Sequence, residues 1–422
     1  MHDQGSGSAG ARDRRRSLGR VGRIALLAFA VALPAAGAVL NLVVVYVDDS
    51  LPVPDGLDGA AGVAVSPTGG HVYAVGHEDD ALVVFVRDAT AETLSFVEVL
   101  FDQAAGVFGL EGASAVAVSP DSRHVYTAAD AGDALAVFAR DPSMDSLAFV
   151  EAHLQGVGGV FGLDGASSVA ATVDGRHVYV TGAESDSLAV FARDASLDSL
   201  TFVDAVVDGA GGVEGLDGAS AVTEDPVSGR LFVAGADDDS VAVFDRHPTG
   251  DELVHLATFT DGVGNFDGLD GAAAVLVSPD GFNLYVAGRD EDASAVFQAP
   301  RGVLKFLRAV RNGRDGVAGL VAPRALALGD GGRFLYAATA GGSTITVFRR
   351  EASDGDLTFL GSVVLSGRPE PQASHALAAS PDGKHLLAAS RTADAVALFR
   401  QDGIFSDGFE SGDTSIWSNG FP

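Results

Sequence analysis

Short apolar runs alternate with polar, glycine-rich turns along almost the whole chain, and the alternation repeats. The clearest marker is an aromatic residue near the end of a strongly apolar run. It falls at Phe85, Phe138, Phe191, Phe244, Phe297, Phe348 and Phe399, at steps of 53, 53, 53, 53, 51 and 51 residues. A second series, Tyr73, Tyr126, Tyr179, Phe232, Tyr285, Tyr336 and Leu387, keeps the same step. A third, Gly-Leu-Asp-Gly-Ala at 56–60, recurs with Glu111 in the second copy and then at 162–166, 215–219 and 268–272, and decays in copies six and seven. A copy reads as four runs of strand length, the seventh excepted; in the second they are 115–118, 124–128, 134–140 and 147–153. Turn chemistry separates them, as in Ser-Pro-Asp-Gly at 278–281 and 380–383 and its variant Ser66-Pro67-Thr68-Gly69. There proline and glycine suit a type I turn, so the strands form antiparallel hairpins. The third run is apolar at nearly every position, as in Leu188-Ala189-Val190-Phe191, which implies burial on both faces, with small alanines allowing close approach.

Seven four-stranded units at a period near 50 residues predict an all-β fold, a seven-bladed β-propeller of antiparallel blades, rather than a helical solenoid with its 3.6-residue spacing. The seventh copy lacks a fourth strand: after Phe399 the chain reads Gln401-Asp402-Gly403-Ile404. Residues 41–47 lie one period of 53 before 94–100, so this N-terminal strand is expected to complete the last blade and close the ring.

The residues before that strand read as a delivery signal. Arg12, Arg14, Arg15, Arg16, Arg20 and Arg23 precede an apolar stretch from Ile24, followed by Pro34-Ala35-Ala36-Gly37-Ala38. This is the charged, apolar and small-residue layout of a secretory signal, with cleavage expected after Ala38. The apolar run continues to Val47 and is long enough for a membrane anchor, but the repeat assigns 41–47 to the fold. Arg15-Arg16-Ser17-Leu18 is similar to a twin-arginine signal, leaving that route and the general secretory route both open. The expected organisation is a signal peptide at 1–38, a propeller at 39–403 and a tail at 404–422. The destination is the periplasm, the cell surface or the exterior, with no membrane span after cleavage.

Composition narrows the function. Lys and Arg number 27 against 57 Asp and Glu, a formal charge of -30, so phosphate backbones and anionic lipid headgroups would repel the chain. Nucleic acid is thereby excluded as an expected partner. The absence of cysteine removes disulfides, thiolate metal sites and a cysteine nucleophile.

Ser278-Pro279-Asp280-Gly281, followed by Leu284-Tyr285-Val286-Ala287 and Ala295-Val296-Phe297, resembles the repeat of the lactonase-type seven-bladed propellers. That group includes bacterial 6-phosphogluconolactonase-like proteins and shades into YVTN-repeat surface proteins. The resemblance covers about 40–401 and implies the propeller fold, because the matching residues are turns and buried strands. The tail from Phe405-Ser406-Asp407-Gly408 through Trp417 is similar to an ending of assorted secreted bacterial proteins, which agrees with export.

In a repeat protein, residues that break the repeat carry the functional information. At the start of the first strand the aligned position reads Ala61, Ser114, Ser167, Ser220, Ala273, Arg324 and His375. Pro323-Arg324-Ala325 and Ser374-His375-Ala376 resemble family motifs at that place, with Ala325 standing where a family histidine is expected. In a lactonase, His375 would serve as general base toward water and Arg324 would stabilise the oxyanion as the ester opens. Without catalysis, both fill the channel mouth. A second irregular position follows the second strand: His77, Asp130, Ala183, Ala236, Arg289, Ala340 and Arg391. His77, Asp130, Arg289 and Arg391 are candidate ligand-binding residues on the same face. Acidic loops such as 78–80, 237–239 and 290–292, with Asp164, Asp217 and Asp270, raise calcium binding as an alternative, but none has an established calcium spacing. The expected protein is a monomeric exported scaffold without a cofactor, binding a protein, a glycan or a small molecule. Lactone hydrolysis is the alternative.

Overall fold

The computed structural model describes residues 40–48, 55–246, 251–299, 304–341, 344–364 and 374–401. These form seven four-stranded antiparallel sheets. In the second blade the strands are Ala113–Val118, His124–Ala129, Ala134–Arg140 and Leu147–Leu154, all within two residues of the expected ranges. The inner strands, from Ala60–Val65 in blade 1 to Ser374–Ala379 in blade 7, touch one another in order around the channel, and blade 7 meets blade 1.

The last blade is completed from the other end of the chain. Leu40–Val47 pairs antiparallel with Ala395–Gln401, Leu40 opposite Gln401 and Val47 opposite Ala395. The end of the apolar run is therefore a propeller strand. The expected signal peptide at 1–38 and the tail at 404–422 lie outside the described residues.

The core lies between blades. Second strands such as His71–Gly76 are buried at every position, as fully as the third strands that stand out in the sequence. Every member of the series from Phe85 to Phe399 is fully buried; removing such a side chain from water stabilises by roughly 1.5–3 kcal/mol. Edge-on ring contacts, such as Phe138 with Phe149 at 5.7 Å and Phe297 with Phe306 at 5.4 Å, join the third strand to the outer one.

Two irregularities recur. On the outer strands the register slips once, leaving Val97 and Val150 as extra residues in blades 1 and 2. Such bulges on exposed edges discourage pairing with another chain. On every inner strand the second residue is the extra one, and these are Ala61, Ser114, Ser167, Ser220, Ala273, Arg324 and His375.

The Gly-Leu-Asp-Gly motif belongs to the seams between blades. The amides of Gly59, Gly112, Gly165, Gly218, Gly271 and Ala322 donate to the carboxylates of Asp394, Asp80, Asp133, Asp186, Asp239 and Asp292 of the preceding blade, at 2.8–3.0 Å. Gly165 shows why glycine is used: its φ is 65°, and a Cβ there would sit 2.9 Å from the Glu184 amide nitrogen. Where the motif decays in blade 6, Ala322 adopts the same left-handed backbone at φ 47° and keeps the bond.

Candidate functional site

The inner-strand bulge has a structural use in the middle blades. Ser114, Ser167 and Ser220 donate through Oγ to the carbonyls of Ala166, Ala219 and Ala272 on the next blade, at 2.7–2.8 Å. A bulged residue stands outside the ladder, so its side chain is free to take another direction. In blades 6 and 7 that position carries Arg324, which is exposed, and His375, which is half-buried. Their neighbours in the sheet identify the face: Pro323 pairs with Thr339 and Ser374 with Ser390, the ends of the second strands. The loops holding His77, Asp130, Arg289 and Arg391 begin at those ends, so both irregular series lie on one face of the ring.

Side chains of the second series join across blades. His77 Nε2 lies 2.9 Å from Asp130 Oδ1, and Arg391 Nη2 lies 2.6 Å from His77 Nδ1 and 3.4 Å from Glu78 Oε1. Asp130, His77 and Arg391 belong to blades 2, 1 and 7, and the chain they form crosses the seam where the ring closes. The bond to Asp130 holds the His77 pKa above its ordinary value, while burial and the Arg391 charge oppose it. The His77–Asp130 pairing is absent from the sequence expectations, although both residues occupy the same position of successive repeats.

On the other side of Arg324, Arg289 makes two bonds to Asp290, Nε to Oδ1 at 2.9 Å and Nη2 to Oδ2 at 2.8 Å. Partial burial, followed by the charges of Arg289 and Arg391, holds the Arg324 guanidinium below its ordinary pKa, with Asp290 opposing. Among the described residues no carboxylate is in ion-pair contact with Arg324. Arg324 thus feels the charges of arginines from the blades on either side of it, and all three are exceptions in the repeat.

This repulsion follows the distribution of charge around the ring. Residues 40–271, which hold the closing strand and blades 1–4, contain 39 Asp and Glu against 7 Lys and Arg. Residues 272–401, blades 5–7, contain 12 against 14. The arginines thus sit in the sector whose charge is near balance, facing one that is strongly negative.

Other titratable clusters serve the scaffold. Of the loop acids that raise the calcium alternative, Asp80, Asp239 and Asp292 accept backbone amides at the seams. Two groups of carboxylates lie close enough to share an ion, Asp48 with Asp55 and Asp79, and Asp261 with Asp267 and Glu291. In the first, Asp48 accepts from Gly56 and Leu57 and Asp79 from Asp58. In the second, Arg311 already supplies the cation, bonding to Asp267 at 2.5 Å and Glu291 at 2.9 Å. On the opposite face, His124 is buried between Arg193, 2.7 Å from Nδ1, and Asp198, 3.0 Å from Nε2; His177 is held the same way by Arg246 and Asp251. These histidines tie blade to blade.

A model of the family described as lactonase, seven-bladed beta-propeller, matches residues 63–214 and 218–372. Among solved structures, a candidate 6-phosphogluconolactonase from Bacteroides uniformis is similar at a TM-score of 0.60 and 22% identity, over 72% of this chain and 85% of that one. A periplasmic gluconolactonase from Pseudomonas aeruginosa is similar at 0.59 and 20%, over 73% and 86%. Hydrazine synthase from Kuenenia stuttgartiensis is similar at 0.60 and 15%, over 84% and 98%. At such identities the likeness is one of fold, and these proteins carry different activities on it. No curated protein sequence matches the chain. With most of its length matched by that model and seven four-stranded blades closed by its own N-terminal strand, the chain belongs to the lactonase family of seven-bladed β-propellers.

Proposed function

We propose that this is an exported propeller whose channel mouth captures a small anionic ligand, a carboxylate such as an open-chain hydroxy acid, among Arg289, Arg324 and Arg391. The carrying observation is Arg324, a guanidinium in ion-pair contact with no carboxylate among the described residues of a chain of formal charge -30, and repelled by the charges of Arg289 and Arg391. A carboxylate placed between them accepts charge-assisted, bidentate hydrogen bonds and relieves their repulsion. Export rests on the basic and apolar segment before the propeller, and the periplasmic gluconolactonase among similar structures is compatible with it. A thermal-shift panel of aldonates, uronates and neutral sugars tests the reading. Stabilisation by the acids alone is expected; stabilisation by none of them, or by neutral sugars equally, counts against it.

Lactone hydrolysis is the second reading, and family membership favours it. Arg324 would stabilise the oxyanion that forms when water adds to the lactone carbonyl, and His375, at the same bulge on the adjacent blade, would take the proton from that water. A non-phosphorylated lactone suits an exported, acidic protein better than a cytoplasmic phosphosugar does. Loss of hydrolysis in His375→Ala, followed by pH-stat titration, supports this role, and unchanged turnover removes His375 from it.

A further inference from the structure

We infer that His77 sets the position of Arg391 and thereby couples anion capture at the channel mouth to proton uptake. This deepens the proposed function and rests on the arginine site being one for anions.

The geometry fixes the direction of the coupling. Arg391 Nη2 can only donate, so with His77 Nδ1 as its acceptor at 2.6 Å the ring proton sits on Nε2, facing Asp130 Oδ1 at 2.9 Å, and Glu78 Oε1, 3.3 Å from the same Nδ1, is the carboxylate that a proton added there would meet. The imidazole is therefore neutral in this arrangement and holds Arg391 toward the rim, beside Glu78. A proton arriving at Nδ1 removes the acceptor and sets one cation against another. Arg391 then keeps only Glu78, at 3.4 Å, as its partner on this side, and an anion beside Arg324 competes for it more readily. By linkage, an anion that draws Arg391 away raises the affinity of His77 for a proton to the same degree.

The groups facing His77 are Asp130 from blade 2, Glu78 from its own loop and Arg391 from blade 7. Behind Glu78, Asp58 and Asp394 face each other across the closing seam. The side chain of His77 is 17% exposed, so a proton has access to the ring from solvent. The repeat supports a specific role, because the aligned loop position is alanine in blades 3, 4 and 6.

Two measurements test the coupling. The first needs no ligand: the His77 pKa, followed by NMR of the imidazole ring, should rise in Arg391→Ala and fall in Asp130→Asn. A His77 pKa unmoved by Arg391→Ala overturns the contact on which the inference stands. The second titrates gluconate, ionised throughout, into the protein by calorimetry between pH 5.5 and pH 8.5. Affinity should be about tenfold higher at the acid end, with uptake of about half a proton at the midpoint, and His77→Gln should bind with little pH dependence. Gluconate binding that depends on Arg324 but has the same pH profile in His77→Gln overturns the role of His77 alone. Absence of binding at every pH overturns the anion site and this role together.

Discussion

The hydroxyl of Tyr46 accepts a hydrogen bond from the backbone amide of Leu94 at 2.7 Å, joining the closing strand to the outer strand of blade 1. The same amide is satisfied elsewhere by a carboxylate: Glu98 accepts from Leu147 at 2.5 Å and Glu151 from Leu200 at 2.6 Å. The N-terminal strand thus supplies both the missing edge of blade 7 and the latch to its neighbour. Tyr46→Phe leaves the Leu94 amide without its partner in a buried seam and is expected to cost about 1–2 kcal/mol in chemical denaturation. Removing residues 39–48 exposes the third strand of blade 7 and should lower the melting temperature of the whole ring as one transition. A melt unchanged by that removal contradicts the closure.

Blade 6 offers a stabilising change. Ala322 holds φ at 47°, a conformation that glycine adopts freely at the equivalent place in other seams. Ala322→Gly should therefore gain about 1 kcal/mol, because relief of the left-handed strain exceeds the added freedom of the unfolded chain. Equal stability of the two proteins in urea would show that the seam has already relaxed around the alanine.

The closing seam responds to pH in a defined sense. Burial, opposed by the bond from the Asp58 amide and reinforced by neighbouring carboxylates, pushes the Asp79 pKa up to about 7; burial and then Asp394 push Asp58 to about 6. Both folded values lie above the unfolded one of 3.8. Between roughly pH 4 and 7 the folded state holds more protons, so these groups lower stability progressively as pH rises. Asp79→Asn keeps an acceptor for the Asp58 amide and should match the parent at pH 4 while melting higher at pH 8. Burial lowers the pKa of His71, His124 and His385, which gives the opposite slope. Their contribution is complete above pH 6.5 and declines as pH falls below it.

The seam carboxylates also lead to an expectation about calcium. Asp133 is engaged by the Gly165 amide at 2.9 Å, and its counterparts are engaged alike. Asp133→Ala should destabilise by about 1–2 kcal/mol through the unsatisfied amide. Calcium and chelator should leave the melting temperature of the parent protein unchanged. A rise of several degrees with calcium would show that the carboxylates hold ions as well as amides.

The number of blades and the manner of closure were legible in the sequence because they are periodic: one step of about 53 residues places Phe85, Phe138 and Phe191 and leaves 41–47 as the missing strand. The exceptional residues Arg324, His375, His77, Asp130, Arg289 and Arg391 were legible as breaks in that period. Their mutual contacts were not. His77 and Arg391 are 314 residues apart and meet because the ring closes, and no local pattern encodes that distance. The inner-strand bulge was equally hidden, since Ala61 and Ser114 look like ordinary strand residues until the register slips beside them. The seam bonds of Asp80, Asp239 and Asp292 were hidden as well, because a sequence displays carboxylates without the amides that they accept.

The account depends most directly on Arg324. Calorimetric titration of residues 39–422 with gluconate at low ionic strength, beside the Arg324→Ala variant, compares the site with and without its central charge. Saturable binding by the parent that weakens about tenfold or more in the variant is the predicted result, since the lost contact is a charge-assisted one. Equal affinity in the two proteins, or no heat from the parent, contradicts an anion site at the channel mouth.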